Sequence, residues 1–175
     1  MPPASCASPR SRAQSTSAIA DFNIYPVMLA KYKMVTETKH ESWLWLIGWV
    51  ESMPDEIWAS WKAFVLPLLR ACVEAGLDKP FRAGQSMTDI TLSTAEQHGL
   101  ERYDPPPPRV TLRADKARQQ WYIAWSHRNL YFSEPDRRTD ITSENAFPIL
   151  KSYLEDLWRD TKPNESLPVS LGPDG

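Results

Sequence analysis

Thr88-Asp89-Ile90-Thr91-Leu92-Ser93-Thr94 sets the reading of the whole chain. Thr88, Ile90, Leu92 and Thr94 alternate with Asp89, Thr91 and Ser93, and a period of two sends the two sets to opposite faces of a half-buried strand. Upstream the rhythm differs. Ile57, Trp61, Phe64, Val65, Leu68 and Cys72 recur at intervals of three and four, the spacing of one helix face. The change falls at Pro80, so helices are expected before it and a sheet after it.

Beyond residue 94 the alternation continues. Gln97-His98-Gly99 closes the first strand, and four prolines, Pro105 to Pro108, predict a stiff polyproline II connection. Val110 and Leu112 alternate with Thr111 and Arg113; Trp121, Ile123 and Trp125 with Tyr122, Ala124 and Ser126; Leu130 and Phe132 with Tyr131 and Ser133. Residues 114–119 read as a hairpin loop and 127–129 as a short turn. Short connections between successive strands imply an antiparallel meander of about four strands. Residues 134–140 read as a charged loop. Thr142 or Ser143 is then placed to cap a final helix that carries Ala146, Phe147, Ile149, Leu150, Tyr153, Leu154, Leu157 and Trp158 and ends before Pro163.

Working back from Pro80, Gly76 is a natural left-handed residue after the long helix. Pro54, Asp55 and Glu56 suit that helix's first turn, while Pro67 inside it is expected to kink or divide it. Residues 41–52, with Leu44, Trp45, Ile47 and Trp49, would form a helix apolar nearly all round, which is buried or lies at an interface. Phe22, Tyr25, Leu29 and Tyr32 predict a first helix over 22–36, with a strand through Ile24–Leu29 as the alternative. Residues 1–20 hold arginine, serine, alanine and proline with no acid. They read as a disordered tail or a misplaced start in preference to a transit peptide. The expected organisation is a tail at 1–20, one α+β domain at 21–162 with N-terminal helices, the meander and a C-terminal helix packed on the sheet, and a frayed tail at 163–175.

Composition narrows the function classes. The 175 residues are 42% apolar and 24% charged, with a net charge of −2. These are ordinary globular values, and they argue against whole-protein attraction to nucleic acid or anionic membrane. The apolar run at 43–50 is far shorter than the roughly 20 residues a membrane span requires. Two cysteines, Cys6 and Cys72, form no disulfide framework and fit a reducing, cytoplasmic setting.

Catalytic signatures are sparse. Gly84-Gln85-Ser86 is half of a nucleophile elbow, with the strand following the serine instead of preceding it. Asp89, His98 and His127 would have to complete a triad from separate segments. Glu37 and His40 share the i, i+3 spacing of one carboxylate–imidazole metal arm, but no second arm exists, and the pair reads as a solvated helix face. No P-loop or GxGxxG occurs among only six glycines. No cofactor or metal is expected.

Three functions compete. The leading expectation is a non-catalytic protein–protein interaction or assembly module. Eight tryptophans are more large aromatic surface than a core of this size obviously needs. Five of them (Trp43, Trp45, Trp49, Trp58 and Trp61) share one stretch, and Trp45 and Trp49 are its candidate contact residues, for a partner protein or a second copy. Against this stands a plain aromatic core. The second expectation is single-stranded nucleic-acid binding by the sheet. Residues 102–138 carry eight basic and four acidic side chains, and Arg113, Trp125 and Arg128 would combine charge with stacking. The third is a small enzyme with a site between the Arg82–Asp89 loop, which includes Gln85, and the His127 turn.

Overall fold

The computed structural model describes residues 38–86, 88–97, 105–115, 118, 120–127 and 134–168. The tail expected at 1–20, the helix at 22–36 and the strand at 130–133 lie outside them.

Helix α1 (Lys39–Glu51) starts at a capping box. Thr38 Oγ1 accepts from the Glu41 amide at 3.2 Å, and the Glu41 carboxylate accepts from the Thr38 amide at 2.7 Å. The carboxyl of Glu41 is held below its ordinary pKa, first by that backbone bond and then by the Thr38 hydroxyl. Helix α2 (Asp55–Glu74) begins after Pro54 with two acids in its first turn. It ends in a Schellman motif, with Leu77 N–H to Cys72 C=O and Gly76 N–H to Val73 C=O both 2.9 Å and Gly76 at φ 74°. Pro67 does not divide α2, which runs unbroken through it. The proline is exposed, so the carbonyl that loses its donor faces water.

Five strands follow: β1 (Arg82–Ser86), β2 (Asp89–Ser93), β3 (Arg109–Asp115), β4 (Gln120–Ser126) and β5 (Arg137–Ile141). They form one antiparallel meander in sequence order. Helix α3 (Ala146–Thr161) closes the domain. The α+β architecture expected above is present, with local corrections. Residues 82–86, read as loop, form β1, because their backbone pairs with the alternating strand β2. Residues 137–141, read as charged loop, form β5 against β4. Sequence alternation is weak there because two of the three inward positions are Arg137 and Thr139. Helix α3 accommodates both. The Arg137 guanidinium lies 3.8 Å from the Tyr153 ring centroid, and Thr139 Oγ1 is 2.7 Å from Tyr153 Oη. The cap of α3 is Asn145 rather than Thr142 or Ser143; its side chain accepts from the Thr142 amide at 2.7 Å.

Register defines the two faces of the sheet. Ala83, Leu92, Val110, Trp125 and Arg137 form one row, and Gln85, Ile90, Leu112, Ile123 and Thr139 the next. Their apolar members join α1, α2 and α3 in a single core. Helix α3 covers β3 to β5, α2 packs between α1 and α3, and Phe64 of α2 stacks on Trp121 with centroids 4.5 Å apart.

Helix α1 lies against the outer edge of β1 and supplies the partners that edge lacks. Ser42 Oγ accepts from the Ala83 amide at 3.0 Å, and the Trp43 indole donates to the Phe81 carbonyl at 2.8 Å. At the other end of the chain, packing continues past the expected boundary at 162. The Trp158 indole donates to the Glu165 carbonyl at 3.0 Å, and Leu167 rests on the core.

Candidate interaction surface

The tryptophans divide by burial. Trp43, Trp61, Trp125 and Trp158 are buried, while Trp45, Trp49, Trp58 and Trp121 are partly open. Helical spacing on α1 and α2 then assembles a four-ring ladder. Trp45 and Trp49, one turn apart, stack with centroids 6.3 Å apart and planes at 11°. Trp49 meets Trp61 edge-on at 5.9 Å and 88°, and Trp61 meets Trp58 at 5.9 Å and 73°. Such offset and perpendicular contacts suit the ring quadrupoles. The Trp61 indole nitrogen is buried and has no hydrogen-bond partner among the described residues.

The same two helices carry the only large apolar side chains standing mostly in water among the described residues, Leu44 at 51% and Ile57 at 63% exposure. Gly48, one turn beyond Leu44, leaves open space where a side chain would stand. From Ile57 to Pro67 the exposed positions of α2 are Ile57, Ala59, Ser60, Ala63 and Pro67, without a charge.

Polar clips hold the two helices in register beside this face. Lys62 Nζ reaches the Glu51 carbonyl at 3.0 Å, the Met53 carbonyl at 3.1 Å and Asp55 Oδ1 at 2.6 Å. A cation there suits the carbonyl end of α1. Arg70 bonds Glu51 at 2.6 Å across the helix pair.

The remaining candidate residues scatter. Arg82 is buried at 4% exposure, with Nε 3.4 Å from the Ala95 carbonyl and Nη2 2.6 Å from the Glu96 carbonyl, and so tethers β1 to the segment after β2. Gln85 faces the core row, partly buried, and its Oε1 has no partner among the described residues. Arg113 and Trp125 occupy opposite faces of the sheet. Arg113 pairs with Asp89 at 2.9 Å, and burial raises the Asp89 carboxyl against the lowering effect of that arginine. Arg138 is likewise engaged, by Asp115 at 3.0 Å and Asp140 at 3.1 Å, and lies 3.7 Å over Tyr122. Arg128 lies outside the described residues. Arg82 and Asp89 sit at opposite ends of the β1–β2 hairpin, about 13 Å apart along it at ~3.3 Å per residue. His127 follows β4, so the three do not meet.

Two polar constellations escaped the sequence reading because their members are distant in the chain. His40 Nδ1 bonds Asp78 Oδ2, a buried carboxylate whose other oxygen has no partner among the described residues. His127 stands between Asp136 and Asp160 at 3.1 and 3.2 Å. Glu37, the proposed companion of His40, is outside the described residues, as is His98. Among the described residues no group of three His, Cys, Asp or Glu side chains is placed to hold a metal ion. No helix there is long and apolar enough to cross a membrane.

The described residues thus form an α+β domain in which three helices flank an antiparallel meander. The chain matches no protein-family model, no curated protein and no solved structure in the comparisons made.

Proposed function

We propose that the chain is a protein-interaction module whose contact surface is the tryptophan ladder of α1 and α2. The observation that carries this reading is the half-open ladder, Trp45–Trp49–Trp61–Trp58, on a helix pair that also carries the exposed Leu44 and Ile57. Partly open indoles and exposed aliphatic side chains bury large area on contact at little entropic cost, and tryptophan is the residue type most enriched in interface hot spots. The helix pair beneath is fixed by Lys62 and Arg70, so the surface is pre-organised.

Self-association is the form that needs only this chain. Light scattering over rising concentration is expected to show mass growth that Leu44→Glu or Ile57→Glu abolishes. A monomer whose ladder indoles are quenched by acrylamide points to a different protein as partner. A monomer whose indoles all emit at buried wavelengths and resist quenching overturns the proposal.

Nucleic-acid binding by the sheet is less well supported. Arg113 and Arg138 are already engaged by Asp89, Asp115 and Asp140, and Trp125 faces the helices instead of sharing a face with Arg113.

A further inference from the structure

His127 Nδ1 has two neighbours that cannot both be satisfied. The Asp136 carboxylate lies 3.1 Å from it and the Trp125 indole nitrogen 3.3 Å. A carboxylate only accepts and an indole N–H only donates, so the same ring nitrogen serves the first when protonated and the second when not. The other ring nitrogen, Nε2, faces Asp160 at 3.2 Å in either state. We propose that His127 is a proton-operated switch, which passes its Nδ1 bond from Asp136 to the buried Trp125 indole when the imidazolium loses a proton.

The surroundings define both states. In the cation, Nδ1–H donates to Asp136 and Nε2–H to Asp160, and the Trp125 indole loses this acceptor. In the neutral ring the proton stays on Nε2 against Asp160, and Nδ1 accepts from Trp125. The connection before β5 stays in place throughout, because the His127 amide donates to Asp136 at 2.8 Å and the Asp136 amide donates to the Trp125 carbonyl at 2.9 Å. Only one bond moves, and it ends on a core ring.

The charges facing the site come from three elements. Asp136 precedes β5, Arg137 begins it, and Asp156, Arg159 and Asp160 come from the last turns of α3. Arg137 and Arg159 share Asp156, at 2.8 and 2.9 Å, and Arg137 also lies 5.5 Å from the Trp125 ring centroid. Asp160 and the carbonyl end of α3 both favour a cation. The hydrogen bond to Asp136, followed by Asp160, holds the His127 pKa above the ordinary histidine value against the lowering effect of partial burial.

The test is nitrogen-15 NMR of the imidazole and indole groups on the full chain, from about pH 5 to pH 8. The Trp125 indole N–H is expected to move with the His127 titration, at the same midpoint, and the neutral ring should be the Nε2–H tautomer. Asp136→Asn should lower the midpoint. Trp125→Phe should raise it, because the indole bond stabilises only the neutral ring; a plain ion pair would leave that variant's midpoint unmoved. A neutral Nδ1–H tautomer, or an indole signal indifferent to the His127 titration, overturns the proposal, and both are read on the unmodified chain even where Trp125→Phe does not fold.

Discussion

Replacing Trp43 by phenylalanine separates the tryptophans that build the fold from those that present a surface. Trp43 is fully buried, and its indole donates to the Phe81 carbonyl at 2.8 Å just before edge strand β1. Phenylalanine keeps a ring but has no donor. An unpaired buried carbonyl costs about 1–3 kcal/mol. The void left by the missing half of the indole adds about 1 kcal/mol at ~24 cal/mol per Å³. The expected loss is about 2–4 kcal/mol, or roughly 6–14 °C in melting temperature for a domain of this size. Urea denaturation followed by circular dichroism measures it, with the midpoint falling and the slope unchanged. Trp45→Phe is the control. Trp45 is partly open on the ladder, so its replacement is expected to cost under about 1 kcal/mol, near the ordinary range of surface changes. Equal losses for the two variants would refute the reasoning, since the Phe81 bond would then contribute nothing.

Three other outcomes follow from the same structure. Gly76→Ala forces a side chain into the left-handed region at φ 74° and is expected to cost about 1–2 kcal/mol in the same denaturation assay. The raised pKa of His127 makes its contribution to stability full below the ordinary histidine value and lost as pH rises through the raised one. The contribution is small because the side chain is half exposed; His127→Gln should flatten that part of the stability–pH profile. Arg113→Ala removes the partner that opposes burial at Asp89, so the Asp89 carboxyl should titrate higher still in carbon-13 NMR, and the variant should gain stability on acidification through that pKa; an unmoved titration would show the pair is not made.

The partition of the site follows from how each part is encoded. The ladder was foreshadowed because its rings repeat at helical spacing: Trp45 and Trp49 are one turn apart, as are Trp58 and Trp61. What joined the two pairs was the packing of α1 on α2, through Trp49 and Trp61. The basic, aromatic set on the sheet looked like one surface in the sequence. Register divided it, because neighbouring residues of a strand point to opposite faces, and Trp125 and Arg113 fall on different sides.

Chain composition and local rhythm determined the helices α1, α2 and α3, the left-handed Gly76, the strands β2, β3 and β4 and the α+β class, because each depends on periodicity or a cap within a few residues. Tertiary structure alone decided β1 and β5, whose own alternation is weak and whose pairing comes from β2 and β4. It also decided the cover that Ser42 and Trp43 give the sheet edge, and the meeting of His127 with Asp136 and Asp160. These features join residues far apart in the chain, and contacts of that kind leave no periodic trace in a sequence for local physics to read.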